Sequence, residues 1–539
     1  MDPTSFVPTG ILPVVAGLFG LLAVVAYARS IVAWRKRSKN LPLPPGPKPL
    51  PFIGNLLDMP QLRPWIKFRE HSLQYGGIVS YQALGQPIIV LNTTQATSDL
   101  LDKRSANYSD RPPTPITDLI GWKWNLAMQR YGPEWRWHRR LFWQHFHPGV
   151  LFTYDDAQNR ESVQFLQRIL DNPSHLEQHA HHTFAGVILR AVYGIDISDA
   201  DTNKATEEVV DIVGTVMDAF RTTSVPGAFL VEFVPVLRYV PAWFPGAGFQ
   251  TRLVNWRAAS ARMVTLPYEK AKAAAAMNTG GISSTLVGAA LLGEGGVDGI
   301  PAEEREFVIK NVACTSYAGG VDTSLATLLS FFLAMSLYPE AQKKAQAELD
   351  AVIGPNRLPS PADRAELPYI NALMKESHRW QNAVPMGLPH AAVKDDEYNG
   401  YFIPAGATIL PNVWGMLHDP DEYPNPDAFL PERFLNPDRS TNEKVRDPVT
   451  VVFGFGRRLC PGRYFAEQAL FLNMSRVLYA FDITPPLDEL GRRIVIEPQM
   501  KNGALSGPVD CRCTIKPRSA RSAALIREAT AELFAARRQ

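Results

Sequence analysis

The chain has 539 residues, 46% of them hydrophobic, and its 55 basic and 53 acidic side chains leave a net charge of +2. That balance gives no sign of a nucleic-acid-binding protein. Four cysteines in so long a chain exclude a disulfide framework and fit a domain bathed in reducing cytosol. The length predicts one large domain or two lobes.

The N-terminus comes first. Gly10 to Ala28 is 19 residues without a charge, rich in Leu, Val and Ala, about the length needed to cross a bilayer core. Arg29, Arg35, Lys36, Arg37 and Lys39 follow it, and only Asp2 precedes it. The positive-inside rule then puts the C-terminal side in the cytosol. A cleaved secretory signal is the competing reading, but the stretch is long and its positive charges lie after it. The expected division is a lumenal 1–9, a membrane anchor 10–28, a basic and proline-rich hinge 29–51, a catalytic domain 52–518 and a tail 519–539. Sequons stand at Asn92, Asn107 and Asn473, which a cytosolic domain would keep from the glycosylation machinery.

Proline density from Leu41 to Asn55 predicts a stiff extended course. Gly76 to Asn92 alternates and turns like a hairpin. WRWHRR, Trp135 to Arg140, places Trp135 and Arg139 on one helical face and Arg136 and Arg140 on a neighbouring one. Helical patterns dominate from about Asp155 to Ala351. Phe229 to Gly246 is apolar but broken by prolines; it reads either as buried core loop or as a segment dipping into a membrane surface. GEGG, Gly293 to Gly296, lacks the Lys-Ser/Thr and preceding strand of a phosphate loop. Pro389 to Leu410 predicts strands, residues 504–518 a final strand pair, and Ser519 to Gln539 a solvated helix or frayed end with Leu525, Ile526, Ala529 and Leu533 at helical spacing. Cys511 and Cys513 lack the second pair or histidines a zinc site needs.

Chemistry concentrates in two segments. AGGVDTS, Ala318 to Ser324, sets two glycines inside a helical apolar stretch, each costing about 1 kcal/mol relative to alanine. Missing side chains at Gly319 and Gly320 would make room for a small ligand. Thr323, four residues after Gly319, lies close to its carbonyl, and Asp322 can relay protons from solvent. The second segment is FGFGRRLCPG, Phe453 to Gly462. One cysteine, Cys460, set among glycines and beside two arginines, is what a haem iron needs from a thiolate axial ligand. Gly456 permits a tight turn beneath a porphyrin, Gly462 lets backbone lie close to the sulfur, and Pro461 suits the first turn of a helix. The positive end of that helix would stabilise the anion. Arg458 is placed to reach a haem propionate. The plain alternative is a glycine-rich turn holding a structural cysteine.

Phe453, Gly456, Cys460 and Gly462 fill the pattern Phe-x-x-Gly-x-x-x-Cys-x-Gly, which resembles the haem loop of the cytochrome P450 family, microsomal class. AGGVDTS, ESHR (Glu376 to Arg379), PERF (Pro431 to Phe434) and WRWHRR supply four further motifs of that family. The loop texture resembles fungal, basidiomycete enzymes of specialised metabolism, the group of O-methylsterigmatocystin oxidoreductase and tryptamine 4-monooxygenase. The resemblance implies a mainly α fold with small β-sheets behind one transmembrane helix. It implies a haem-thiolate monooxygenase with haem b on Cys460, propionates held by Trp135, Arg139, His390 and Arg458, and Asp322 and Thr323 in oxygen activation. It also implies a structural triad of Glu376, Arg379 and Arg433. Implied partners are O2, a hydrophobic small molecule, the endoplasmic reticulum membrane, NADPH-cytochrome P450 reductase at the Arg136/Arg140 face, and cytochrome b5. Trp122, Trp124, Tyr317, Met386 and Leu388 are the expected substrate wall. Two rivals stay open: a reductase-independent isomerase or dehydratase on this fold, and a non-catalytic membrane protein binding haem or sterol.

Overall fold

The computed structural model describes residues 25, 29, 32–197, 203–223, 229–232, 234–277, 281–293 and 296–536. Apart from Val25, the expected anchor 10–28 lies outside them, as does the lumenal 1–9. Helix dominates. The first helices are α1 (Pro64–Tyr75), α2 (Pro133–Phe146), α3 (Asp155–Asp171) and α4 (Leu176–Tyr193). They are followed by α5 (Asn203–Thr223), α6 (Phe249–Ala276), α7 (Arg305–Leu337) and α8 (Pro339–Ile353). The last are α9 (Pro368–Trp380), α10 (Arg463–Ala480) and α11 (Ala520–Ala536). Short turns of helix join them.

The axis of the fold is α7, about 50 Å long at 1.5 Å per residue. It is apolar on all sides, as a helix surrounded by protein must be. Ala302–Leu337 is long and apolar enough to cross a bilayer, yet 72% of its most apolar window is buried inside the protein. α4 lies along it, close enough that a Cβ on Gly320 would stand 2.8 Å from Ile188. α8 and α9 follow in chain order, and Pro368 opens α9, where a missing N–H costs nothing. Glu348 of α8 caps that end, accepting from the amides of Tyr369 and Ile370 at 3.0 Å each.

The strands gather in small sheets, as expected. β1 (Ile78–Ala83) and β2 (Gln86–Leu91) form the hairpin within Gly76–Asn92, Ile78 opposite Leu91. β3 (His390–Ala391), β4 (Asp396–Tyr398), β5 (Tyr401–Ile403) and β6 (Thr408–Pro411) occupy the second strand region. The main sheet runs β1-β2-β6-β3, β2 and β6 being parallel. The proline-rich segment touches this sheet and the separate β4-β5 pair: Ser80 of β1 donates to the Pro45 carbonyl at 2.9 Å and Phe402 of β5 to that of Pro42 at 2.8 Å.

Three expectations change. Residues 504–518 do not pair with themselves: β8 (Thr514–Pro517) pairs with β7 (Phe481–Thr484), across a connection of about thirty residues whose register no local pattern encodes. Cys511 and Cys513 precede that strand, their thiols pushed up to about 11 and about 12 by burial. The C-terminal helix α11 is not solvated: Ser522, Ala523, Leu525 and Ile526 are buried, α11 docks on α3, and Arg518 pairs with Asp350 at 2.6 Å. Phe229 to Gly246 is not a core loop. Phe229 and Val231 are buried, but Leu230, Val236, Tyr239, Trp243 and Phe244 stand in solvent, Trp243 81% exposed.

Candidate functional site

A cavity of about 310 Å³ lies where α7 faces the segment that leads into α10. Cys460 lines it. The segment is shaped by its own backbone: the Cys460 amide donates to the Phe453 carbonyl at 2.7 Å, and Gly454 and Gly456 take φ of 83° and 52°, where side chains are strained. Gly456 is required for a second reason besides its turn. A Cβ there would strike the Leu101 carbonyl oxygen at 2.2 Å, so the collision is with the turn at 98–105. The Gly456 amide also donates to Asp102 at 2.6 Å, clamping segment to turn. Pro461 stands before Gly462, the N-cap of α10, and so outside the first turn. Gly462 has an ordinary φ of −93°. Burial pushes the Cys460 thiol up, while the Gly462 amide, Arg139 and Arg463 draw it back. Of the expected anion-stabilising helix end, the Gly462 amide and Arg463 act on the sulfur, and Arg139 of α2 joins them.

Three guanidiniums line the cavity: Arg111, Arg139 and Arg458. Arg458 donates to the carbonyls of Ser109 at 2.7 Å and Gln129 at 2.8 Å and lies 4.6 Å over the Trp135 ring. Burial lowers it to about 10. Arg111 donates to the Ala127 carbonyl at 2.7 Å and the Leu388 carbonyl at 3.1 Å; burial and then Arg458 hold it well below its ordinary value. None of the three pairs with a carboxylate among the described residues. Asp110, the nearest acid in sequence, is bonded to Arg130 at 2.8 Å and acts on Arg111 and Arg458 only through space. Buried cations without counter-charge are costly. A thiol, three unneutralised guanidiniums and apolar walls fit a haem, whose iron takes a thiolate and whose propionates supply the missing charge. His390 also lines the cavity. Its Nδ1–H donates to the Tyr108 carbonyl at 2.7 Å, and burial, then Arg111, keeps the ring neutral. Its Nε2 is then an acceptor, which meets a propionate only when protonated.

Sequence reading missed Arg111. It lies in the aperiodic segment around Ser109-Asp110-Arg111-Pro112-Pro113, where only an arginine beside paired prolines hints at a fixed position.

Across the cavity, Gly319 has open space where a Cβ would stand, while Gly320 is spent on packing against Ile188. Both glycines line the cavity, but only at Gly319 is the place of a Cβ open. Thr323 lines it and its hydroxyl donates to the Gly319 carbonyl at 2.8 Å, a bond that also loosens the helix. Asp322 is adjacent in sequence but does not line the cavity. It is buried, 3.0 Å from Arg221 of α5 and 4.0 Å from His181 of α4. Nothing in the sequence pairs Arg221 with it, since the two are a hundred residues apart.

Arg379 donates to both oxygens of Glu376 at 2.7 and 2.8 Å, and Arg433 stands 3.3 Å from the same carboxylate. The expected triad is formed. His378, between the two, packs edge-on against Phe453 with centroids 5.4 Å apart. Of the expected substrate wall, Trp122 and Leu388 line the cavity. Trp124 turns away to donate to Ser260 at 2.8 Å, Tyr317 is buried in the main core, and Met386 packs near Phe68 and Tyr81. Aromatic content marked them, but only three-dimensional packing decides which way a ring faces. Arg136 and Arg140 are exposed.

A family model described as Cytochrome P450 matches residues 44–500. The chain is 38% identical over 516 residues to cytochrome P450 monooxygenase COX1 of Coprinopsis cinerea, covering 94% of this chain and 97% of that one. Cytochrome P450 monooxygenase 208 of Postia placenta is 42% identical over 514 residues, with 94% and 96% covered. Cytochrome P450 monooxygenase claR of Ampulloclitocybe clavipes is 40% identical over 487 residues, with 90% and 88% covered. The chain thus belongs to the cytochrome P450 family, as an oxidoreductase of the monooxygenase kind whose relatives are basidiomycete enzymes.

Proposed function

We propose that the chain inserts one oxygen atom from O2 into a hydrophobic small molecule of fungal specialised metabolism, with electrons from NADPH-cytochrome P450 reductase and cytochrome b5 as a second donor. The supporting observation is the cavity that opposes the Cys460 thiol to Gly319 and Thr323, with Arg111, Arg139 and Arg458 in its lining and none of them bonded to a carboxylate among the described residues. Haem b, when bound, supplies the activation of dioxygen.

The chain's own residues do the rest. Cys460 ligates iron as thiolate, favoured by the Gly462 amide and Arg139. Arg111, Arg139 and Arg458, with Trp135, would hold the propionates, and His390, neutral beside Arg111, would join them only where propionate charge protonates its ring. Thr323 would hold a proton at the cavity wall, its hydroxyl anchored on the Gly319 carbonyl. Asp322 passes protons inward only after Arg221 swings aside, so the pair gates supply from solvent. The exposed Arg136 and Arg140 face an acidic reductase surface. Residues 10–28 anchor the domain 52–518 in the endoplasmic reticulum membrane, facing the cytosol, and the exposed Trp243, Phe244 and Tyr239 rest on that membrane.

The test is turnover by the haem-loaded chain with NADPH and reductase against a panel of terpenes, indoles, polycyclic aromatics and sterols. Reductase-dependent oxygenated product supports the reading. Turnover of equal rate without NADPH establishes an isomerase or dehydratase instead, and saturable binding without any turnover establishes a carrier.

A further inference from the structure

The thiolate segment Phe453–Gly462 is closed largely by its own backbone. The Cys460 amide returns to the Phe453 carbonyl at 2.7 Å, and the Arg458 amide to that of Phe455 at 3.0 Å. Gly456 lies at the bend between them and donates its amide out of the loop, to Asp102 at 2.6 Å. Among the described residues Asp102 is the only carboxylate hydrogen-bonded to this segment. Arg457, next in the chain, is bonded instead to the Tyr131 hydroxyl at 2.6 Å.

Asp102 comes from an unusual element. Ser98–Lys103 is a π-helical turn, with the Arg104 amide reaching back five residues to the Asp99 carbonyl at 3.2 Å. Such turns are rare and concentrate at functional places. Two consecutive residues of this one meet Gly456: the Leu101 carbonyl oxygen stands where its Cβ would collide, and the Asp102 carboxylate takes its N–H. The other acid of the turn, Asp99, is spent on Lys103 at 2.7 Å, Gln95 at 2.9 Å and Tyr398 at 2.7 Å. Asp102 is exposed and pairs with no cation among the described residues. An unbalanced negative charge is thus fixed against the backbone four residues before Cys460.

The sign of its effect follows from Coulomb's law. Reducing a ferric haem adds one negative charge, which a nearby carboxylate opposes. Water and salt around an exposed acid screen that opposition, so the effect is modest. We propose that Asp102 is a positioning residue that acts through Gly456: its carboxylate holds the bend of the thiolate segment, and its unpaired charge lowers the reduction potential of the iron. This rests on Cys460 as the iron ligand, as read above.

The test compares Asp102→Asn, Asp102→Ala and Asp99→Asn in the haem-loaded full chain. Asparagine keeps an oxygen for the Gly456 amide and loses the charge. In a redox titration Asp102→Asn raises the ferrous-to-ferric ratio at fixed potential about threefold, which is about 28 mV at 59 mV per decade. Asp99→Asn removes a charge that Lys103 already balances, and shifts the potential less than half as far. Asp102→Ala removes the acceptor, and exchange of the Gly456 amide, followed by mass spectrometry, quickens at least tenfold. Exchange needs no iron–sulfur bond. It therefore tests the clamp even where the carbon monoxide band of a thiolate-ligated haem is missing and the reading of the previous subsection fails. An unmoved potential in Asp102→Asn shows a merely structural clamp, and an equal shift in Asp99→Asn shows a general effect of surface charge. Unchanged exchange in Asp102→Ala removes the clamp itself. Each of these results overturns the inference.

Discussion

Glu376 accepts both guanidinium bonds of Arg379, at 2.7 and 2.8 Å, with both side chains wholly shut off from water. The third member, Arg433, is 6% exposed. Two cations on one carboxylate leave a surplus charge, and backbone carbonyls absorb it: Arg379 also donates to Leu417 and Ala428 at 3.0 Å each, and Arg433 to Pro424 at 2.8 Å. The carboxylate in turn accepts from the Leu430 amide at 2.8 Å. The network ties α9 to residues 417–433, the stretch that leads into the thiolate segment.

Removing the carboxylate should therefore be severe. Glu376→Ala leaves two buried guanidiniums facing each other, and breaking a buried pair costs about 3–5 kcal/mol. Chemical denaturation of the purified chain should show that loss together with poor haem retention. Lys67→Ala removes an ion pair whose members are about half exposed, and should change stability by less than about 1 kcal/mol.

In the proposed proton supply Thr323 and Arg221 act from opposite sides. Thr323→Ala removes the hydroxyl bonded to the Gly319 carbonyl and should lower product per NADPH about tenfold, equivalent to ~1.4 kcal/mol, while NADPH oxidation continues. Arg221→Ala frees Asp322 from its 3.0 Å partner and should reduce the solvent deuterium isotope effect on turnover. An unchanged product-to-NADPH ratio in the first variant would remove Thr323 from the account.

Buried histidines set the acid limit of the fold. Burial lowers His138 to about 4, and burial with Arg379 lowers His418 to about 3. Both rings are neutral in the folded chain. The unfolded chain protonates them near 6.5, so it binds more protons below that pH. Stability is therefore full above about pH 6.5 and is lost as pH falls toward 4, by on the order of 3 kcal/mol for each ring. Thermal melts between pH 4.5 and 7.5 should show this slope, and His138→Asn should flatten it.

The C-terminal helix belongs to the core. Ile526 is fully buried and Leu525 is 6% exposed. Ile526→Ala should cost about 2–5 kcal/mol, read as a lower melting temperature with unchanged spectra of the bound haem. No change on that substitution would show that α11 is dispensable.

What the sequence disclosed and what it hid follow from range of interaction. The Phe453–Gly462 segment, the Gly319–Thr323 stretch and the Glu376–Arg379 pair were legible because each is a local pattern whose residues act within one or two turns. Their partners were not. Arg111 and Arg221 carry no periodicity and reach their positions only through the fold. Gly456 was rightly seen as irreplaceable, but its neighbour is the Leu101 carbonyl, 355 positions earlier in the chain. Helical spacing in 519–539 was visible, yet spacing cannot say what covers a face, and here α3 does. Strand β8 is legible as a strand but not in its partner, because pairing with β7 is decided by burial and not by a turn signal.

The most direct measurement is the carbon monoxide difference spectrum of the reduced, haem-loaded chain and of Cys460→His. The native chain should give the red-shifted Soret band that only a thiolate ligand produces, and the variant should keep haem and far-UV dichroism but give the band of an imidazole-ligated haem. A thiolate-type band that survives in Cys460→His would contradict the account, because the sulfur on the iron would then belong to another residue.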